Sequence, residues 1–185
     1  MQLKKKLKNL KNVRLSKLLF TLPLLFLFAC SYLQDFGFFY KTYTHPSLQF
    51  SIKYPRTWEF QEGGLFGSQV VFSSDKKNEV FRANANLVVT KADIKNIDEL
   101  STLSIQQLKL ILNQYELITQ NRTKLGNLDG FELRGRYTAK EGNRILRTVV
   151  AMDKDTEYVF TFTSTADKEN NYTKIVNHMI QSFKL

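Results

Sequence analysis

The chain predicts the α+β class: one antiparallel sheet with helices packed on it. Three observations carry that reading. Several short segments alternate polar and apolar residues, the period of a half-buried strand. Two longer segments change to the three- and four-residue steps of an amphipathic helix. Aromatic residues make up 13% of the chain and are weighted to Phe and Tyr, which suits the faces of a sheet.

A segment of a different kind precedes these elements. Lys4, Lys5, Lys6, Lys8, Lys11, Arg14 and Lys17 are basic, with no acid among them, and residues 18–28 (LLFTLPLLFLF) carry no charge. Ala29 and Cys30 follow. A basic leader, a short apolar stretch and a small residue at the cut describe a bacterial signal peptide over residues 1–29. The 11 uncharged residues, interrupted by Thr21 and Pro23, fall short of the roughly 20 that a membrane-spanning helix needs. Leu27-Phe28-Ala29-Cys30 resembles the lipobox of bacterial lipoproteins, although Phe28 is bulkier than the usual residue there. The resemblance implies diacylglycerol on the Cys30 sulfur, cleavage after Ala29 and a lipid on the new N-terminus. Paired acyl chains hold a protein firmly, where one chain binds only marginally. A membrane is therefore the expected partner of Cys30, with the domain outside the cytoplasm. Under Gram-negative sorting rules Ser31 points to the outer membrane, on the periplasmic side.

The formal charge of +10 invites a nucleic-acid reading, but seven of the 27 basic residues precede Cys30. The remainder sets 20 basic residues against 17 acidic ones, an ordinary solvated surface. No arginine-rich run follows, so nucleic acid is excluded as a partner class. The mature length of 156 residues suits one domain with a full core. Cys30 is the only cysteine, so no disulfide can form within that domain and packing must hold it.

Residues 30–44 read as a lipidated tether. Tyr32, Phe36, Phe38, Phe39, Tyr40 and Tyr43 suit either a bilayer interface or the edge of the domain. The domain is expected over 45–185. Gln49–Tyr54 alternates as a first strand and Pro55 stops it. Trp58 and Phe60 are expected on the same core. Gln69–Ser73 and Ala85–Lys91 are the next strands, after turns at Glu62-Gly63-Gly64 and Gly67-Ser68. Leu100, Leu103, Leu108, Ile111, Leu112 and Tyr115 then fall on one face of a helix within 97–116, capped by Asp98 or by a Ser104/Gln107 box. Leu117–Leu125 is a short strand. Asp129-Gly130 is a turn signal. Phe131, Leu133, Gly135 and Tyr137 alternate with Glu132, Arg134 and Arg136, one face dry and one wet. Ile145–Met152 and Glu157–Thr165 complete an antiparallel meander. Tyr172, Ile175, Val176, Met179, Ile180 and Phe183 give a closing helix, about 168–183, with its apolar face on the sheet.

Four pieces of this order resemble PsbP-like domains. Phe50-Ser51-Ile52-Lys53-Tyr54-Pro55 with Trp58 is similar to their opening strand. Leu128-Asp129-Gly130-Phe131-Glu132-Leu133 is similar to their mid-domain strand, Tyr158–Ala166 to their penultimate strand and Ile180-Gln181-Ser182-Phe183 to their close. The resemblance covers about His45–Leu185. It implies a single α/β/α sandwich with a central antiparallel sheet flanked by helices, a fold shared by DcrB-like extracytoplasmic lipoproteins. It constrains function less. PsbP and its lipid-anchored cyanobacterial relatives associate with photosystem II on the lumenal side, so a photosystem II accessory lipoprotein in the thylakoid lumen is the alternative reading.

Candidates for chemistry are few. His45 and His178, at opposite ends of the domain, are either a two-histidine metal site or two surface imidazoles. Asp153, Asp155 and Glu157 have the alternation of oxygen ligands for calcium, but lack the glycine and distal glutamate of an EF-hand loop. A hairpin turn explains them more simply. No G-x-S-x-G elbow, H-E-x-x-H motif or phosphate-binding glycine loop occurs. The expectation is a lipid-anchored binding or assembly protein with a protein partner, no cofactor, no metal and no catalytic residue. A metal-dependent enzyme is the reading from another class.

Overall fold

The computed structural model describes residues 39–64, 67–75 and 80–185. The signal-peptide and Cys30 readings lie outside them. Residues Tyr40–Leu185 form one compact unit. Its strands are β1 (Tyr40–Thr44), β2 (Ser51–Pro55), β3 (Glu59–Glu62), β4 (Ser68–Ser73), β5 (Asn84–Lys91), β6 (Glu116–Leu125), β7 (Leu128–Ala139), β8 (Gly142–Asp153) and β9 (Thr156–Thr165). Helix α1 (Ile97–Ile111) joins β5 to β6, and α2 (Glu169–Ser182) follows a short 3-10 turn after β9.

Strands β3 to β9 form a seven-stranded sheet in the order β3-β4-β5-β9-β8-β7-β6. Every neighbouring pair in it is antiparallel. The meander β7-β8-β9 lies where its turns put it: Ala139 pairs with Gly142, and Asp153 with Thr156. Both faces of the sheet are covered. Along β8, Val149 and Ala151 join one core, while Val150 between them joins the other. Side chains alternate across a strand, so the two cores lie on opposite faces. The larger core takes Phe160 and Phe162 of β9 with Tyr172, Val176, Met179 and Ile180 of α2. The smaller takes Phe131 and Leu133 of β7 with Leu100 of α1. This is the α/β/α sandwich that the family resemblance implies, and it contains the antiparallel sheet with packed helices that the alternating and helical periods imply.

Several expectations need correction. Tyr40–Thr44 is not tether: it pairs with β2 in a separate two-stranded sheet, Tyr43 opposite Ile52, and both side chains are buried in the larger core. The domain therefore begins five residues before the expected boundary at His45. The cause is the Tyr43 ring, which packs among Phe50, Phe60 and Phe72. Strand β2 belongs to this small sheet and not to the central one. Trp58 is buried as expected, but Phe60 sits on edge strand β3, 47% exposed.

Helix α1 is capped by Asn96, whose side-chain oxygen accepts from the Asp98 and Glu99 amides at 2.9 and 3.3 Å. Asp98 falls two residues too late to cap and instead puts its charge near the positive end of the helix dipole. Ser104 lies mid-helix and donates to the Leu100 carbonyl. The helix ends at Ile111, where the expected stripe ran on to Tyr115. Its packed positions stop at Leu108, and Ile111 is 73% exposed.

Gly126, between β6 and β7, has φ +59, and a Cβ there would meet the Phe183 carbonyl oxygen at 1.9 Å. Its amide donates to the Ile180 carbonyl. The bare backbone at this turn is what lets the end of α2 dock on the sheet.

Candidate functional site

A polar cleft lies between α2 and the sheet. Strand alternation turns Glu132 and Arg134 away from Phe131 and Leu133, toward the α2 side. The sequence pattern predicts water there, but the structure puts a helix over them. Arg134 donates from Nε and Nη2 to the two carboxylate oxygens of Glu169 on α2, both at 2.6 Å. Arg147 of β8 donates to Glu132 at 2.7 Å and to the Asn177 amide oxygen at 3.0 Å. Glu169 holds the Arg134 guanidinium above its usual range by hydrogen bonding, a pull that partial burial opposes. With Asn170 and Thr173 these side chains line a cleft of about 280 Å³. The cleft offers hydrogen bonds and balanced charge. It brings together no nucleophile and base, and its guanidinium and carboxylate groups pair with one another, while Arg147 Nε is buried without a partner among the described residues. Its chemistry is that of a clamp holding α2 to β7 and β8.

A second, larger groove of about 420 Å³ lies on the β3-β4-β5 end of the sheet. Gln61, Ser73, Asn84 and Asn86 contribute its polar lining. The Asn86 amide nitrogen donates to Ser68 Oγ at 3.1 Å, while its oxygen is buried without a partner among the described residues. Amides and hydroxyls can bind, but they do not supply acid–base or nucleophilic catalysis by themselves.

The histidines do not meet. The His45 ring nitrogen Nδ1 accepts from the Ser47 and Leu48 amides at 3.2 and 3.0 Å and so orders the turn after β1. The His178 ring packs at a tilt against Tyr40, ring centroids 4.0 Å apart, at the other end of β1. Five residues of extended chain separate those places, roughly 16 Å. Among the described residues no group of three or more His, Cys, Asp or Glu side chains is placed to hold a metal ion. Asp153 and Asp155 flank the β8–β9 turn, Asp155 pairs with Lys95 at 3.0 Å, and the Asp155 carbonyl accepts from Ala92. Burial, and then the charge of Asp93, push the Glu157 carboxyl above its usual range.

Two groups escaped the sequence reading. Arg144, 1% exposed, donates to the backbone carbonyls of Glu141, Gly142 and Asn143 and lies over the Phe81 ring at 4.3 Å. Nothing in its position at the start of β8 marks it as buried, although Glu141 three residues earlier, its ion-pair partner at 3.3 Å, was a usable hint. Tyr43 donates to Glu62 at 3.1 Å, and burial with that contact raises its phenol from 10.0 to about 12. Here the missing signal is long-range: a tether-like segment turned out to be a strand.

The fold, the two-faced sheet and the Tyr40 start agree with a known domain pattern, that of PsbP, which matches residues 39–185. The chain belongs to the PsbP family. Solved structures share the fold at low identity. The solution structure of cyanobacterial PsbP (CyanoP) from Synechocystis sp. PCC 6803 is similar with a TM-score of 0.61 and 14% identity, over 82% of this chain and 95% of that one. LpqN of Mycobacterium tuberculosis, described as involved in cell envelope biogenesis, gives a TM-score of 0.61 and 14% identity over 84% and 95%. The Ran-binding protein Mog1p of Saccharomyces cerevisiae gives 0.57 and 11% over 78% and 94%. No curated protein matches the chain in sequence. Three neighbours with such different descriptions tie the PsbP fold to no single activity.

Proposed function

We propose that this PsbP-family chain is a lipid-anchored extracytoplasmic protein that works by binding, as a non-enzymatic assembly or accessory factor at a membrane surface. The observation that carries the reading is the junction of two features: Leu27-Phe28-Ala29-Cys30 closing a basic-then-apolar leader, and a PsbP domain whose first strand starts ten residues later at Tyr40. A tether that short keeps the domain within about 35 Å of an acylated cysteine. Among the described residues no helix is long and apolar enough to cross a membrane, so attachment there falls to the leader or to a lipid. The description of LpqN as an envelope-biogenesis protein supports an envelope role. CyanoP matches equally well, so fold likeness gives no preference between a cell envelope and a thylakoid lumen.

The test is maturation. Intact-mass analysis of the protein from membranes of the source cell should give an N-terminus at Cys30 with added diacylglycerol. Cys30→Ser should accumulate at precursor mass. Normal maturation of Cys30→Ser would end the anchor reading. Affinity purification of the wild-type chain from native membranes should recover a protein partner in stoichiometric amount; recovery of none would end the assembly reading.

A further inference from the structure

Two stretches of the domain carry charge of a single sign, with the Glu62 carboxylate of β3 reaching Tyr43 at their border. Residues 39–58 contain no Asp or Glu, and neither do residues 170–185. The structure joins these two stretches. The Ser51 and Lys184 backbones bond each other at 2.8 and 2.9 Å, the Lys53 amide donates to Ser182 Oγ at 2.9 Å, and the Tyr40 ring packs at a tilt against His178. Lys174, His178 and Ser182 follow at steps of four, so they lie along one side of α2. Lys53 is beside Ser182, Tyr40 pairs with Pro55 just before Arg56, and Lys41 is the next residue on β1. Lys41, Lys53, Arg56 and Lys174 are all exposed. None of the four is in an ion pair among the described residues. By contrast Arg82, Arg122, Arg134, Arg136, Arg144 and Arg147 each pair with a carboxylate.

We infer that the β1-β2-α2 region, around Lys41, Lys53, Arg56 and Lys174, is a docking surface for an anionic phospholipid membrane. Two features choose that occupant. The charge is complementary to anionic headgroups and is not paired with a carboxylate among the described residues. The same region contains the first strand, so the chain enters it ten residues after Cys30. The inference rests on the proposed membrane attachment, and adds that the domain lies on the surface in one orientation. Each basic residue near an anionic surface contributes about fivefold to affinity, and the effect fades within a Debye length of about 8–10 Å at physiological salt. Lys41 is opposite Tyr54 and Lys53 is opposite Thr42, so the two lysines lie on opposite faces of the β1-β2 pair and meet headgroups together only when the pair approaches edge-on.

The experiment reconstitutes the purified full-length protein with phosphatidylcholine vesicles, or with vesicles containing phosphatidylglycerol at about three parts in ten. Flotation and lysine labelling by a membrane-impermeant reagent are read by mass spectrometry. In the anionic vesicles, labelling of Lys41, Lys53 and Lys174 should fall at least threefold relative to phosphatidylcholine. Lys109 on α1 and Lys154 at the β8–β9 turn should label equally in both. Charge reversal of all four residues to Glu should remove the difference while leaving the melting temperature within a few degrees. Equal labelling of the patch in the two vesicle types, or protection that survives the charge reversal, would overturn the inference. Flotation with phosphatidylcholine reports on the attachment independently. Protein that floats only with anionic vesicles, through these residues, refutes the anchor while the docking surface stands.

Discussion

The β6-β7-β8 end of the sheet and the β1-β2-α2 region handle charge in opposite ways. On the first, Arg136 meets Glu116 at 2.5 Å, Lys124 meets Asp129 at 2.5 Å, Arg122 meets Asp98, and Arg134 and Arg147 are clamped beneath α2. On the second, exposed lysines and an arginine stand without a carboxylate partner among the described residues. Paired charges at the sheet specify geometry: they fix where a helix lies and which strands neighbour, at little net gain in stability. Unpaired charges of one sign specify nothing inside the protein, but they generate a field outside it. The difference separates residues kept for the fold from residues available for a partner.

Several substitutions would break or sharpen this contrast. The largest effect is expected where the basic region is bolted to the sheet. Phe183, at the end of α2, packs on Phe50 and Tyr158 with ring centroids 5.9 and 5.4 Å away. Phe183→Ala should cost about 3–5 kcal/mol in denaturant unfolding. An unchanged midpoint would mean that α2 is not held by this ring.

Next comes the clamp. Glu132→Ala leaves Arg147, whose side chain is 11% exposed, facing only Asn177. The loss should be about 2–3 kcal/mol. Replacing both members, Glu132→Leu with Arg147→Met, should cost less than the single change, because no charge is stranded. A double variant worse than either single would show that the ion pair itself stabilises the fold.

Alkaline pH probes the corrected first strand. The folded Tyr43 phenol, at about 12, lies above its ordinary value of 10.0 because burial and the Glu62 hydrogen bond favour the protonated form. The unfolded chain therefore releases its proton first. That contribution to stability is complete below pH 10 and is lost as pH rises toward 12. Burial also raises Tyr54 and Tyr158 of the same core. Stability followed against pH should hold to about pH 9 and decline above 10, and Tyr43→Phe should soften the decline. A flat profile to pH 12 would contradict the burial of β1.

The smallest effect belongs to the basic patch. Lys41→Gln, Lys53→Gln and Lys174→Gln should each change stability by less than about 0.5 kcal/mol. A larger loss would mean these lysines serve the fold after all.

The sequence was legible where periodicity is local. The β7-β8-β9 meander shows its alternation and its polar turns, and the α2 stripe shows its steps of three and four. The start of the domain was not legible, because Tyr40–Thr44 becomes a strand only by pairing with β2 and burying Tyr43. The end of α1 was obscured for a related reason: Ile111 continues the helical stripe, but no packed partner continues beneath it. The clamp was misread as a wet face, since alternation says that Glu132 and Arg134 share a side and cannot say that a helix 35 residues on carries the carboxylate for Arg134. Neither candidate cleft was visible in advance, because each collects residues from separate strands.

The account stands most directly on the chemistry of Cys30. Cells making the full-length chain and its Cys30→Ser variant should be fed labelled palmitate and the protein recovered by immunoprecipitation. The account predicts label in the wild-type chain and none in the variant. An unlabelled wild-type chain, or equal label in both, would contradict it.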